Sequence, residues 1–190
     1  MTTPSSKFVK SMRRGELIDK DNFENSLKIE NSPFLGCFIA DRDGKTLVKF
    51  EIFPGALESF LKIGCSEQRK KYFDIELIPM FISALEKFSQ EINIKELSKF
   101  KLEGMNIKLH VIFEFDNFSI IFFLKPEVNI KLVEEKIKNY FTYLFKVYKE
   151  DFNSSLKIYS LAFISHLELL GQLWLEELNE TYTSLISKKS

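Results

Sequence analysis

The sequence is poor in the residues that form disulfide frameworks and metal sites. Of 190 residues, two are cysteine and two are histidine. Cys37 and Cys65 show no CxxC spacing, which predicts no disulfide framework and a reducing cytoplasm as the setting. His166 has no second ligand at helical spacing, which argues against zinc, and His110 is expected to pack near a helix. A chain of this length buries roughly 70% of its unfolded surface, so it is expected to fold without disulfides or metals.

Neither sign of charge is in excess. The chain has 27 lysines and arginines and 27 aspartates and glutamates, so its formal net charge is zero. Proteins that bind nucleic acids usually carry a basic excess, so we expect no DNA or RNA partner. Two local basic clusters, Lys7–Arg14 and Arg69–Lys71, are interpreted as solvated charge. Attraction to an anionic membrane or an acidic protein face remains the alternative.

Long hydrophobic runs are also missing. The longest nearly apolar segment, Phe118–Leu124, is far shorter than the roughly 20 residues that cross a bilayer. The N-terminal residues lack the apolar stretch of a signal peptide, and Thr2 stands where myristoylation needs glycine. We predict a cytoplasmic protein that is not transmembrane, and peripheral membrane contact stays open.

Phenylalanine, by contrast, is abundant, with 20 copies, and the apolar pattern predicts five strands. Phe34–Ala40 and Phe118–Leu124 are apolar on both faces, which is typical of central strands. Leu47–Ile52 and Lys99–Glu103 alternate with charge, which suits edge strands. A further strand covers about 107–115, and the Asp-Gly turn at Asp41–Gly44 predicts the first hairpin. We predict an α/β (α+β) two-faced sandwich: a five-stranded antiparallel sheet of order 2-1-5-4-3, helices on both faces, and longin-like ββαβββαα topology.

Helical spacing predicts the connecting helices. The first long helix is expected at Ile78–Ile92 and the next from an Asn129 cap to about Lys149. A last helix is expected after a Ser154 or Ser155 cap, and short helices at Ala56–Ile63 and Lys7–Arg14. The apolar stripe predicted to face the sheet from the first long helix comprises Ile78, Phe81, Ile82, Leu85, Phe88 and Ile92, with Leu77, Met80 and Ala84 beside it.

Three segments resemble a known group of proteins. They are FIADRDG at Phe38–Gly44, IPMFISALEKF at Ile78–Phe88, and FKLEG at Phe100–Gly104. Together with the strand order, these segments resemble the longin and roadblock families, which share a profilin-like fold. The amino-acid sequences of the three segments resemble those of archaeal members. The resemblance covers about residues 34–150. It implies a longin variant that starts with the strand pair, or a roadblock variant whose first helix would lie within residues 1–32.

The sequence pattern and the resemblance together divide the chain into three parts. Residues 1–32 are expected to form a partly ordered N-terminal arm. Residues 33–150 are the longin/roadblock-like domain. Residues 151–190 are a C-terminal helix that either docks on the domain or mediates an interaction.

We find no convergent catalytic set in the sequence. Asp41 and Asp43 are interpreted as turn formers, since no glutamate closes a calcium loop. No Gly-rich phosphate loop and no GxGxxG motif is present. We therefore predict no enzyme, no catalytic residues, no cofactor and no metal. An unfamiliar enzyme built on Cys65 or His110 is the weakest alternative.

The resemblance implies a function in protein binding. Longin and roadblock proteins typically bind small Ras-like GTPases or form dimers that do, as exchange factors or as scaffolds in vesicle trafficking or signalling. The expected partners are a small Ras-like GTPase, another longin/roadblock subunit, or both, with a homo- or heterodimer open. The candidate interface residues are Met80, Ala84, Lys87, Lys99 and Lys101. The alternative is a small-molecule sensor domain of profilin-like or PAS-like architecture, with a ligand between sheet and helix.

Overall fold

The structure, a computed structural model, describes residues 20–63, 65–94, 97–115, 117–152 and 159–188. The strands are β1 (Phe34–Asp41), β2 (Thr46–Glu51), β3 (Lys99–Glu103), β4 (Lys108–Phe115) and β5 (Phe118–Leu124). The helices are α1 (Lys20–Asn31), α2 (Ala56–Leu61), α3 (Glu67–Tyr72), α4 (Leu77–Glu91), α5 (Glu134–Val147), α6 (Lys149–Phe152) and α7 (Leu161–Ser187). The predicted helix at Lys7–Arg14 and the predicted caps Ser154 and Ser155 lie outside the described residues.

The five strands form one antiparallel sheet of order β2-β1-β5-β4-β3, which confirms the predicted topology. Every residue of β1 is buried, and β5 is buried except at its first residue, because apolar side chains on both faces need a cover on both sides. Cys37 pairs with Phe50 of β2 on one side and with Phe122 of β5 on the other.

The turn between β1 and β2 fixes the first hairpin. Asp41 Oδ1 accepts hydrogen bonds from the backbone N–H groups of Asp43 and Lys45, each at 2.9 Å. Gly44 has φ +80°, a conformation that side chains with a Cβ rarely adopt. A Cβ on Gly44 would also lie 2.6 Å from the Cα of Met80, so the turn touches the backbone of α4 directly.

One face of the sheet is covered by α5 and α7 through aromatic contacts. The ring of Phe141 in α5 lies 6.2 Å from Phe50 and 6.0 Å from Phe122. Trp174 of α7 stacks on Tyr140 at 4.1 Å. The opposite face is covered by α2 and α4, so helices lie on both faces as predicted.

The last helix packs on its own sheet, with Leu167, Leu175, Leu178 and Tyr182 among its buried residues. The side chain of Asn179 bonds both backbone groups of Phe34: its Oδ1 accepts from the N–H at 2.8 Å and its Nδ2 donates to the carbonyl at 3.0 Å. The described helix starts later than the sequence predicts and has Ser160 as its N-cap. The helix begins at Leu161, because the Ser160 hydroxyl accepts the Phe163 N–H at 3.1 Å.

Four helices, α1, α2, α3 and α6, are additional to the predicted ββαβββαα series. Helix α1 precedes β1, the position that the resemblance gives to the first helix of the roadblock variant. The connection between β2 and α4 contains two short helices, α2 and α3. Helix α2 begins where the Glu51 carboxylate accepts the N–H groups of Gly55 at 3.1 Å and Leu57 at 2.9 Å.

Candidate interaction site on helix α4

The buried side of helix α4 combines one large apolar residue with smaller ones, two of them serines. Its buried residues are Pro79, Ile82, Ser83 and Ser89. The Ser83 hydroxyl donates to the carbonyl of Arg42 at 2.6 Å, and the Ser89 hydroxyl donates to the carbonyl of Glu86 at 2.7 Å. Because these hydroxyls are hydrogen-bonded, their burial costs little. The first of these bonds ties α4 to the β1–β2 turn.

The outward side of α4 is apolar. We define the α4 stripe as Leu77, Phe81, Ala84, Phe88 and Ile92, which recur every three or four residues and therefore share one side of the helix. The four large side chains are more than half exposed: Leu77 56%, Phe81 55%, Phe88 58% and Ile92 52%. Burying the exposed part of each would contribute on the order of 1 kcal/mol. Contiguous exposed apolar surface of this kind marks interaction sites.

The predicted core stripe of this helix is largely wrong. Of its six members only Ile82 is buried, Ile78 and Leu85 are half-buried, and Phe81, Phe88 and Ile92 face solvent. Apolar side chains occupy about 200° of the helix circumference at about 100° per residue, about twice what one buried face needs. Two contacts with the β1–β2 turn, Ser83 with Arg42 and Met80 with Gly44, determine which part of that sector faces the sheet. The width of this apolar sector can be read from the sequence, and it indicates that part of the apolar surface of α4 stays exposed.

Three of the five candidate interface residues lie together on the exposed part of α4. Met80 is 55% exposed, Ala84 belongs to the α4 stripe, and Lys87 lies beside it. Lys87 Nζ lies 3.5 Å from Asp43 Oδ1 across the β1–β2 turn. The apolar stripe is therefore flanked on this side by charge.

The other two candidates lie on the opposite face of the sheet. Lys99 and Lys101 pair with Ile112 and His110, whose side chains point towards α5. Lys99 forms an ion pair with Glu134 of α5 and lies 3.8 Å from Glu114, and Lys101 lies 2.6 Å from Glu103. The five residues thus belong to two separate surfaces.

His110 and Cys37 are buried, and Cys65 is partly buried. His110 is buried, and burial together with the charge of Lys99 lowers its pKa, so the ring is neutral. Burial raises the pKa of the Cys37 thiol, which makes it inert. The Cys65 Sγ donates to the Leu61 carbonyl at 3.5 Å. Across the described ranges, no group of three or more His, Cys, Asp and Glu side chains could hold a metal ion.

None of the helices in the described part of the chain is long and apolar enough to span a bilayer. The longest, α7, has 27 residues but carries glutamates and hydroxyl groups along its length.

No protein-family model and no curated protein sequence matches the chain. Among solved structures, it is similar to Myxococcus xanthus MglB at 14% identity and TM-score 0.43, over 71% of this chain and 99% of that one. An MglB with tetrameric arrangement matches at 12% identity and TM-score 0.45, over 67% and 88%. A Roadblock/LC7 domain from Streptomyces avermitilis matches at 12% identity and TM-score 0.39, over 63% and 93%.

The prediction of a five-stranded antiparallel sheet in the order 2-1-5-4-3 is confirmed by the observed strand pairing. The strand order and register carry the fold assignment, since the TM-scores are low. The attribution to archaeal members stays a prediction.

Proposed function

We propose that this protein is a non-catalytic interaction platform that binds or regulates a small Ras-like GTPase through the α4 stripe. The observation that carries the proposal is the exposure of Phe81 and Phe88, while Ser83 and Ser89 of the same helix are buried. The longin and roadblock resemblance supplies the class of partner. A platform of this kind holds its partner and contributes no covalent chemistry.

The shape of the stripe suits a protein partner. From Leu77 to Ile92 it runs about 22 Å along a convex helix. A convex apolar row offers no enclosure for a small molecule, but its regular spacing fits a groove or a second helix. We also propose that the protein is a cytoplasmic scaffold in trafficking or signalling and that it promotes nucleotide exchange. We propose in addition that it assembles as a homodimer, or as a heterodimer with another longin/roadblock subunit.

The test is binding to small GTPases of the same proteome, each loaded with GDP, with a GTP analogue or left nucleotide-free. Complexes would be read by light scattering after gel filtration. We expect capture of one GTPase in one nucleotide state, and loss of that complex in the double variant Phe81→Ser/Phe88→Ser. The matched control is Leu169→Ser/Leu173→Ser, which changes two equally exposed leucines on α7.

Two results would contradict the proposal. One is the lack of any complex at tens of micromolar protein, roughly the weak end of useful affinity. The other is a complex that survives the α4 variant and is lost in the α7 control, which would place the contact on another surface.

A further inference from the structure

A concave site lies on the face of the sheet opposite α4. It opens between the end of the β4–β5 hairpin and the helices α5 and α6, and it has a volume of about 530 Å³. Four phenylalanines in mutual contact form its floor. The Phe145 ring lies 5.3 Å from Phe115, 5.0 Å from Phe118 and 5.0 Å from Phe152. We call this site the Phe/Lys pocket.

Lysines form the rim of the pocket. Lys138, Thr142 and Lys146 are four residues apart along α5, so they share the flank that borders the opening, and Lys149 follows at the start of α6. Lys138 is paired with Glu114 at 2.8 Å.

Lys146 and Lys149 are the exposed cations of the rim. Within the described part of the chain, no carboxylate lies within 4.0 Å of either ammonium group, although Glu150 and Asp151 follow them in sequence. Asp116, next to the pocket residue Asn117, lies outside the described residues. The rim therefore offers two cations to an incoming anion.

We propose that the Phe/Lys pocket binds a small organic anion with a flat apolar body and a carboxylate or phosphate group. Its volume falls in the range of small-molecule sites, about 300–1,000 Å³. Three of the floor rings are only half-buried, so an aromatic or alicyclic body can stack on them. Lys146 and Lys149 neutralise the acidic group, and the amide of Asn117 and the hydroxyl of Thr142 offer hydrogen bonds at the same rim.

The site is independent of the proposed GTPase platform. The Phe115 and Phe145 rings contact Phe141, which covers the face of the sheet opposite α4. A ligand in the pocket therefore does not compete with a protein on the α4 stripe. A small molecule bound in this pocket would contact the hairpin that joins β4 to β5.

The test uses 2-naphthoate and 2-naphthyl phosphate as anionic probes and 2-naphthamide as their uncharged counterpart, each titrated calorimetrically into the full chain. We expect an anion to bind at submillimolar concentration and roughly fivefold more tightly than the amide. The variant Lys146→Gln/Lys149→Gln should lose roughly that fivefold preference, since solvent-exposed ion pairs contribute only modestly to affinity. The two anions distinguish carboxylate from phosphate recognition.

The matched control is Lys131→Gln/Lys188→Gln, which removes two exposed lysines away from the pocket and should leave binding unchanged. Thermal melts should agree among all variants, because none of these lysines is buried. Equal binding of anion and amide, equal loss in both double variants, or no heat at low-millimolar probe would overturn the inference. None of these outcomes bears on GTPase binding, which depends on Phe81 and Phe88.

Discussion

At the scale of the residue, glycine at position 171 sets the distance between the last helix and the sheet. A Cβ there would lie 2.0 Å from Cδ1 of Phe50, a ring that is fully buried and stacked on Phe141. No side chain can be added without moving that ring. Helix α7 can approach β2 this closely only because Gly171 faces it.

We therefore expect Gly171→Ala to destabilise the protein, although alanine is the better helix former. The overpacking cost is about 1–3 kcal/mol and is offset by up to about 1 kcal/mol of helix propensity. Urea unfolding would measure the difference. The double variant Gly171→Ala/Phe50→Leu should recover part of the loss, since leucine leaves room for the methyl group. A more stable Gly171→Ala variant would mean that α7 does not sit on Phe50.

His110 gives the stability a pH dependence at the same scale. Its folded pKa is lowered by burial, with Lys99 adding to the effect, and Lys101, Lys108 and Glu134 are the other charged groups that act on it. The unfolded chain therefore binds the proton more tightly, so the free energy of unfolding falls as pH drops through about 6.5 towards the folded pKa. Urea unfolding between pH 7.5 and 5 would show it.

The control for this pH dependence is His110→Leu, which removes the titrating ring. As pH falls, the free energy of unfolding of the wild type should decrease relative to that of this variant. If the two pH profiles run parallel, His110 is protonated equally well in both states and the proposed cause is wrong.

At the scale of the element, sequence patterns predicted strands better than the orientation of helices. Strands β1 and β5 are predicted at the centre of the sheet because they are apolar on both faces. Since both faces are buried, their positions do not depend on deciding which face points to the core. Helix α4 offers too many apolar positions, so periodicity gives its spacing and leaves its rotation open. The rotation depends on Met80 and Ser83 of α4, which meet the β1–β2 turn about 40 positions away in the chain. The Phe/Lys pocket also depends on distant segments, because its floor and rim come from β4, β5, α5 and α6.

The orientation of α4 predicts an asymmetry among its apolar residues. Phe81→Ser/Phe88→Ser should change the free energy of unfolding by no more than about 1 kcal/mol, since both rings already contact water in the isolated protein. Ile82→Ala should cost about 2–4 kcal/mol, because Ile82 is fully buried. Urea unfolding of both variants decides the matter. If Phe81→Ser/Phe88→Ser destabilised the protein more than Ile82→Ala, the phenylalanines would face the sheet, as the predicted core stripe requires.

At the scale of the whole molecule, the two faces of the sheet are covered by helices in different ways. The face under α5 and α7 is closed by aromatic contacts that run from Phe50 through Phe141 to Trp174. The face under α4 is closed by a helix whose own outer side remains apolar. The two faces therefore differ in what lies outside the sheet: aromatic packing between two helices on one side, and a single helix with an exposed apolar stripe on the other.

The closed face predicts that the last helix and the sheet unfold together. Trp174 is the only tryptophan in the chain and lies buried in α7 against Tyr140 and Phe141. Its fluorescence therefore reports the docking of α7, while far-UV circular dichroism reports all helices and strands. The two urea transitions should coincide, and Leu178→Ala should shift both midpoints down equally, because one core holds α7 and the sheet. A fluorescence transition at lower urea than the dichroism transition would instead show that α7 detaches first and serves as a separable arm.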